Sequence, residues 1–371
     1  MEADQELAEA QQNPIFIGET VGQIFIIERL LVADKQTTVF ISSSKRSSEA
    51  KHVAIKVKPI KIGQITLIND ISVLKIIGGQ EHFAKFYDSG TYKNNMYLAM
   101  ELLGPTLNDI TQLPQINGLD ISSVVKIGIY GLDALAVLHN SGLSHGSINS
   151  DKFAIGYTKD LIGNLYLFGF GKSMKFDNLK KDKQNAKVKL IQKDLHCFLK
   201  MILSLYCGLD EDQIDQFFGD DDKFNANDEY LSWVYKFEEE INKINYNYIG
   251  HYSELEQIIK SIAGKDFSYQ NKPFEWEVEY DQLFKQTLFL QKRMSQSRQE
   301  FLLQQVNELK NMNGQANQKQ NKQSQILNVL QSMPSKEAVK VDISSLGLFK
   351  IQPKINRVVQ REEYESIGQQ R

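Results

Sequence analysis

The chain has 371 residues, 42% of them hydrophobic and 24% charged, an ordinary balance for a globular protein with a substantial buried core. The net charge of −3 makes no case for nucleic acid as a partner. No apolar run of membrane-spanning length is expected, and the acidic opening MEADQELAEAQQ lacks the apolar stretch of a secretory signal.

From Gly22 to Pro59 the residues alternate in character through QIFIIERLLV, TTVFISSS and HVAIKVK. Three strands are predicted, joined by a tight turn at Ala33–Lys35 and a polar turn at Ser42–Glu49. QITLINDISVLKII (64–77) carries apolar residues at helical spacing and runs into Gly78-Gly79, a helix stop. AKFYDSGTYK and NNMYLAMELL predict a hairpin with Asn94-Asn95 in its turn.

Further on, residues 120–142 predict a long amphipathic helix and 189–209 an almost wholly apolar, buried one. Cys197 and Cys207 fall ten apart in the second helix, about 15 Å along its axis, too far to bridge. Both are expected reduced, in an intracellular compartment. GDDDKFNANDE (219–229) invites a calcium reading, but starting the loop at Asp220 or Asp221 places Phe224 or Lys223 at a ligand position. A solvated acidic loop is the expectation. Residues 279–312 lack Gly and Pro, and Leu283, Leu290, Met294, Phe301, Val306, Leu309 and Met312 recur mostly three to five apart, predicting a long helix with one apolar side. A polar linker (314–325) and a β-branched, extended tail follow.

Two stretches carry a family resemblance. MELLGPTLNDI (100–110) resembles the hinge M-E-L-L-G-P-S-L-x-D-L of the casein kinase 1 family, and HYSELEQIIKSIAGKDFSYQNKPFEW (251–276) resembles the end of that family's domain, down to Trp276. The resemblance covers roughly residues 20–276. It implies an α+β, bilobal protein-kinase-like fold. A small lobe of five strands and one helix is expected at 20–103, and a mainly helical large lobe at 104–277. An extension (1–19) precedes them, and a long helix (278–313), then a linker and extended tail (314–371), follow.

The same resemblance assigns a site. HGSINSDKFAIG, a short hairpin, then NLYLFGFG (145–171) has the layout of a kinase catalytic loop, H-R-D-x-K-x-x-N, and metal-binding turn, D-F-G. His145 stands at the His and is expected to be a packed core residue. Gly146 replaces the Arg, Ser147 the catalytic-base Asp, Asn149 the Lys and Lys152 the magnesium-binding Asn. Gly169 replaces the metal-binding Asp, while Phe170 and Gly171 are retained. Val32, Asp34 and Thr37 stand where the phosphate loop would have glycines, which let backbone N–H groups close on phosphates.

Lys56, in VAIK, is the one retained phosphate ligand, a vestige with no nucleotide expected on it. Asn69 replaces its helix Glu partner, and Asp70, about 100° further round the helix, is a poor substitute. Asp194 falls at the family position that ties down the catalytic loop. Residues 172–188 are too few for a substrate shelf and read as a lysine-rich loop.

Without the base, both metal ligands and the glycines, the expectation is a catalytically inactive pseudokinase: not an enzyme, with no cofactor and no metal. It would serve as a scaffolding subunit of a larger assembly, binding other proteins through 278–371 and the N-terminal tail, with no nucleic acid or membrane partner. The abundance of Asn, Gln, Lys and Ile resembles ciliate proteins and suggests a cytoplasmic, cytoskeletal setting such as a ciliary axoneme. The alternative, motivated by Lys56 and the hinge at 100–104, is a regulatory pseudokinase that binds ATP without metal or modulates an active kinase. Unusual chemistry on this fold ranks last, because six scattered histidines and two cysteines offer no metal spacing.

Overall fold

The computed structural model describes residues 15–33, 37–45, 52–60, 64–113, 116, 118–178, 183–209, 213–214, 232–245, 252–264 and 267–278. The expected acidic loop at 219–229, the helix at 279–312, the linker and the extended tail lie outside these residues, as does most of the N-terminal extension.

The alternating segment near the N-terminus forms β1 (Thr20–Val21), β2 (Phe25–Ala33), β3 (Thr38–Ser44) and β4 (Val53–Pro59). Helix α1 (Gln64–Ile77) follows, with the bounds its stripe and glycine stop predict, then β5 (Phe86–Tyr92) and β6 (Asn95–Glu101). The six strands pair antiparallel in the order β1-β2-β3-β4-β6-β5. The expected count of five omits β1, which is held only by the pairs Thr20↔Ile26 and Val21↔Phe25; two residues are too short to show periodicity. One face of the sheet buries Phe25, Ile27, Phe40, Val53, Ile55, Val57, Tyr97 and Ala99 together.

In the β5–β6 hairpin Tyr92 pairs with Asn95, so the turn is Lys93-Asn94, one residue earlier than expected. Both turn residues have positive φ, 46° and 54°, the geometry whose twist matches a hairpin.

The chain then forms β7 (Leu103–Thr106), α2 (Leu107–Thr111), α3 (Ile121–Asn140) and β8 (Leu143–Ser144). Strands β9 (Phe153–Gly156), β10 (Leu165–Leu167) and β11 (Met174–Lys175) come next, then α4 (Lys183–Cys207), α5 (Ser232–Lys243), α6 (Tyr252–Ser261) and α7 (Glu275–Val278). Thr106 and Asp109 cap α2 reciprocally, each side chain bonding the other's backbone N–H. A sheet-rich N-terminal part followed by a mostly helical remainder is the α+β class expected.

Two expectations change here. Helix α3 is long and apolar enough to cross a membrane by length and composition, contrary to the expectation that no such run exists. Its apolar surface is instead the centre of the core, with 67% of its most apolar window buried. Gly128 and Gly131 let its neighbours close in: a Cβ at either would lie 2.6 Å from Ile259 of α6 or 2.4 Å from Phe198 of α4.

Helix α4 begins at Lys183 rather than 189, because KQNAKV contains no Gly or Pro and extends the helix. The expected loop at 172–188 is therefore mostly built structure: a 3₁₀ turn at Phe170–Lys172, β11 paired with β8, and a second 3₁₀ turn at Phe176–Asn178. Both cysteines lie in α4, and neither is in a disulfide among the described residues.

The segment ending in Trp276 closes onto α3. Trp276 stacks on Phe274 at 4.2 Å and donates its indole N–H to the Ile162 carbonyl at 3.0 Å. Lys126 of α3 places its ammonium 3.6 Å from the Phe274 ring centre and donates to the Lys272 carbonyl at 2.6 Å. Burial pushes this lysine's pKa down, against the attraction of Glu277, Asp120 and Glu275.

Candidate nucleotide cleft

Strand β4 carries Lys56 in register with Val39 and Leu98. Its ammonium donates to the Asp70 carboxylate of α1 at 2.7 Å, and Asp70 is only 3% exposed. This corrects the assignment of the helix position to Asn69. The buried stripe of α1 runs Leu67, Asp70, Leu74, Ile77, the i, i+3, i+7, i+10 face that meets the sheet. Asn69 lies off that face, and its side-chain amide donates to the Gly171 carbonyl at 3.0 Å. The acidic residue interrupting the apolar stripe was the signal that marks Asp70.

The 145–152 loop hangs from one buried carboxylate. Asp194 of α4, 1% exposed, accepts the backbone N–H groups of His145 and Gly146 at 2.6 and 2.8 Å and the His139 Nε2–H at 3.1 Å. Burial alone would raise its pKa; the bonds and charge from His139, with the two backbone bonds, hold it below the usual carboxylate value. His139 in turn takes a short hydrogen bond from the Tyr252 hydroxyl of α6. Sequence reasoning placed Asp194 in this role but missed His139 and Tyr252, which meet only in three dimensions.

His145 is fully buried, as a packed core histidine should be. Its Nε2–H donates to the Phe168 carbonyl at 3.1 Å, and Nδ1 accepts the Ser147 backbone N–H at 3.3 Å. Burial, chiefly, holds its pKa below the ordinary value, so the imidazole is neutral at neutral pH and supports the loop. Phe170, 1% exposed, packs edge-on against His145 and beside Phe83, with ring centres 5.3 and 6.2 Å apart.

Gly146 has φ +79°, and a Cβ there would lie 2.6 Å from the Lys172 carbonyl, so the loop and the turn after Phe170 are in close backbone contact. Asn149 is extended and precedes the 3₁₀ turn Ser150–Lys152. Its Oδ1 is buried with no hydrogen-bond partner among the described residues. Of the three positions replacing the loop glycines, Val32 is paired with Val39 in the β2–β3 ladder, and Asp34 lies outside the described residues.

Lys152 and Gly169 lie side by side, the Phe168 N–H donating to the Lys152 carbonyl at 3.0 Å. Gly169 is left-handed, with φ +84°, and a Cβ there would lie 3.0 Å from Lys152 Cδ. Magnesium is held by oxygen ligands in octahedral geometry. These two positions offer a hydrogen atom and an ammonium, so their donor set does not fit a divalent cation. Among the described residues no group of three or more His, Cys, Asp or Glu converges as metal ligands. Two half-buried lysines, Lys56 and Lys152, border the site, and that charge suits an anion.

No family model matches the chain. It is similar to the "Probable serine/threonine-protein kinase" of Dictyostelium discoideum, with 26% identity over 136 residues, 37% of this chain and 28% of the relative. A casein kinase I homologue of Kluyveromyces lactis is 30% identical over 120 residues, 32% of this chain and 22% of the relative. A "Probable casein kinase I homolog" of Encephalitozoon cuniculi is 26% identical over 132 residues, 35% and 40%. The chain therefore matches less than half the length of each of these relatives. They support a protein-kinase-like family and agree with the resemblance carried by 100–110 and 251–276. They also correct one expectation, that the chain is not an enzyme: the named relatives are all protein kinases, which points to a kinase.

Proposed function

We propose that this chain is a protein-kinase-like protein that takes a nucleoside triphosphate into the cleft bounded by Lys56, the 145–152 loop and the Gly169–Gly171 turn. The carrying observation is the Lys56–Asp70 ion pair at 2.7 Å. A carboxylate that fixes a strand lysine pre-aims its ammonium at phosphate oxygens, as in the lysine–glutamate pair of protein kinases. The relatives' names favour a protein hydroxyl as phosphate acceptor, so labelled phosphate transfer to protein substrates is the activity to assay beside binding. Nucleotide at a hundred times its dissociation constant should stabilise the full chain by about 2.7 kcal/mol, and Lys56→Met should abolish that gain. No stabilisation by any nucleoside triphosphate would overturn the reading.

A second reading is favoured by the outer face of α1: the chain also serves as a structural or regulatory subunit of a larger protein assembly. Ile65, Ile68 and Ile76 are 77%, 40% and 46% exposed, and Met174 is 46% exposed. Ile68 and Met174 border a cavity of about 380 Å³ between α1 and β11. Exposed apolar clusters of this kind mark contact surfaces. The terminal stretches 1–14 and 279–371 are further contacts in this proposal, and a cytoskeletal or axonemal assembly is where partners are to be sought. Cross-linking in cell extract, compared between the wild type, Ile65→Asp/Ile68→Asp and a chain ending at Val278, tests it; identical cross-links in all three would contradict it.

A further inference from the structure

We propose that the nucleotide in this cleft is bound without a divalent metal, the Lys152 ammonium standing where a kinase's metal ion would meet the phosphates. This rests on the nucleotide reading above and goes beyond it by naming the charge state of the ligand and the residue that selects it.

Three observations carry the inference. Lys152 is half-buried, and among the described residues its ammonium has no ion-pair partner. The nearby carboxylates are engaged elsewhere: Asp70 with Lys56, Asp151 with the Asn108 side chain, and Asp194 with the loop backbone and His139. A partly desolvated cation without a counter-charge is unfavourable by itself, and a phosphate group would supply that charge together with acceptor oxygens.

The second observation is that Lys152 and Gly169 form one feature. The lysine stem occupies the room a side chain at 169 would need, at 3.0 Å from its Cβ position. Glycine there makes space for the lysine, and the lysine fills the space that a metal-binding carboxylate would take. A divalent ion at this point would face a like charge with no carboxylate to offset it.

Third, a chain of contacts links that feature to Lys56. Lys56 holds Asp70, its helix neighbour Asn69 holds the Gly171 carbonyl, and Gly171 stands two residues from Gly169. The Lys152 charge also reaches the buried His145 on the other side, where it helps keep that imidazole neutral. Lys56 and Lys152 are thus joined through residues around the same Gly169–Gly171 turn, and two cations so placed suit a polyanion.

The test is calorimetric titration of the full chain with ATP, once in excess EDTA and once in excess magnesium. The expected result is binding in EDTA at least as tight as in magnesium. Lys152→Ala should weaken the EDTA affinity by about ten- to a hundredfold, the factor for one charge-assisted hydrogen bond, while Lys152→Arg should retain it. Binding that appears only with magnesium, or an EDTA affinity unchanged in Lys152→Ala, would overturn the inference and leave the nucleotide reading standing. Absence of binding in both conditions would overturn that reading and the inference with it. Should Lys152→Ala fail to fold, Lys152→Asn combined with Gly169→Asp serves instead. That pair supplies two oxygen ligands, and is expected to make ATP affinity depend on magnesium and to bind manganese by its relaxation signal. Metal-independent binding in that variant at wild-type strength would also count against Lys152.

Discussion

One carboxylate of Asp194 reaches two consecutive backbone N–H groups, those of His145 at 2.6 Å and Gly146 at 2.8 Å. The start of the 145–152 loop is therefore positioned from beneath by α4. Asp194→Ala would leave both N–H groups and the His139 ring buried without their acceptor. Removing one partner of such a buried charged set costs about 3–5 kcal/mol, a loss to be read from urea unfolding midpoints. Asp194→Asn, which keeps one acceptor oxygen, should lose less.

Gly146 and Gly142 make a controlled pair. Both have positive φ, +79° and +78°, but a Cβ at Gly142 meets nothing within 4 Å, whereas one at Gly146 would lie 2.6 Å from the Lys172 carbonyl. Gly142→Ala should cost only the left-handed penalty of about 1–2 kcal/mol. Gly146→Ala should cost clearly more, since the backbone of the 170–172 turn must move. Equal losses in the two variants would show that this contact is not tight.

The pH dependence follows from His145. Its pKa is lowered by burial from the ordinary 6.5, so the unfolded chain takes up this proton before the folded one does. Its stabilising contribution is fully present above pH 6.5 and is lost as pH falls through that value toward the folded pKa. His196, also lowered by burial and by Lys200, adds the same sign. Asp194 acts only at more acid pH, its stabilisation being lost as pH falls through its depressed folded value. Stability between pH 7 and 5 therefore carries a declining contribution from His145, opposed by Asp133 and Glu238, whose carboxyl pKa values burial raises, and His145→Gln should remove that declining contribution. An unchanged slope in the variant would remove His145 from the account.

The Lys56–Asp70 pair predicts an energetic coupling that a Lys56–Asn69 pair does not. A double-mutant cycle of Lys56→Met with Asp70→Asn, read by thermal stability and ATP affinity, should give a coupling of about 0.5–3 kcal/mol, the range for side chains in contact. The same cycle with Asn69→Ala should give close to zero, because Asn69 bonds the Gly171 carbonyl.

The contrast between Asp70 and Asn69 also marks how far the sequence could be read. Helix α1 was legible from end to end, since its apolar stripe stops at Gly78-Gly79. The α+β class, the Asp194 anchor and the absence of a Cys197–Cys207 disulfide followed from patterns or resemblance. Asp70 did not, because motif spacing points to Asn69 while helix phase points to Asp70: the residue lies on the same face as Leu67, Leu74 and Ile77. Strand β1 is two residues held by pairing alone, and the early start of α4 at Lys183 lies in a lysine-rich stretch that reads equally as a loop. The link from Tyr252 through His139 to Asp194 joins three helices, and no local pattern announces such a contact. The Lys152–Gly169 contact was likewise two separate departures from a motif until the backbone brought them together.

The most direct test of the central claim is hydrogen–deuterium exchange of the full chain with and without ATP. The account predicts protection in three places at once: β4 around Lys56, α1 from Leu67 to Leu74, and the facing segments 145–152 and 168–171. Unchanged exchange in all three at saturating ATP, or protection confined to another part of the chain, would contradict the assignment of this cleft as the nucleotide site.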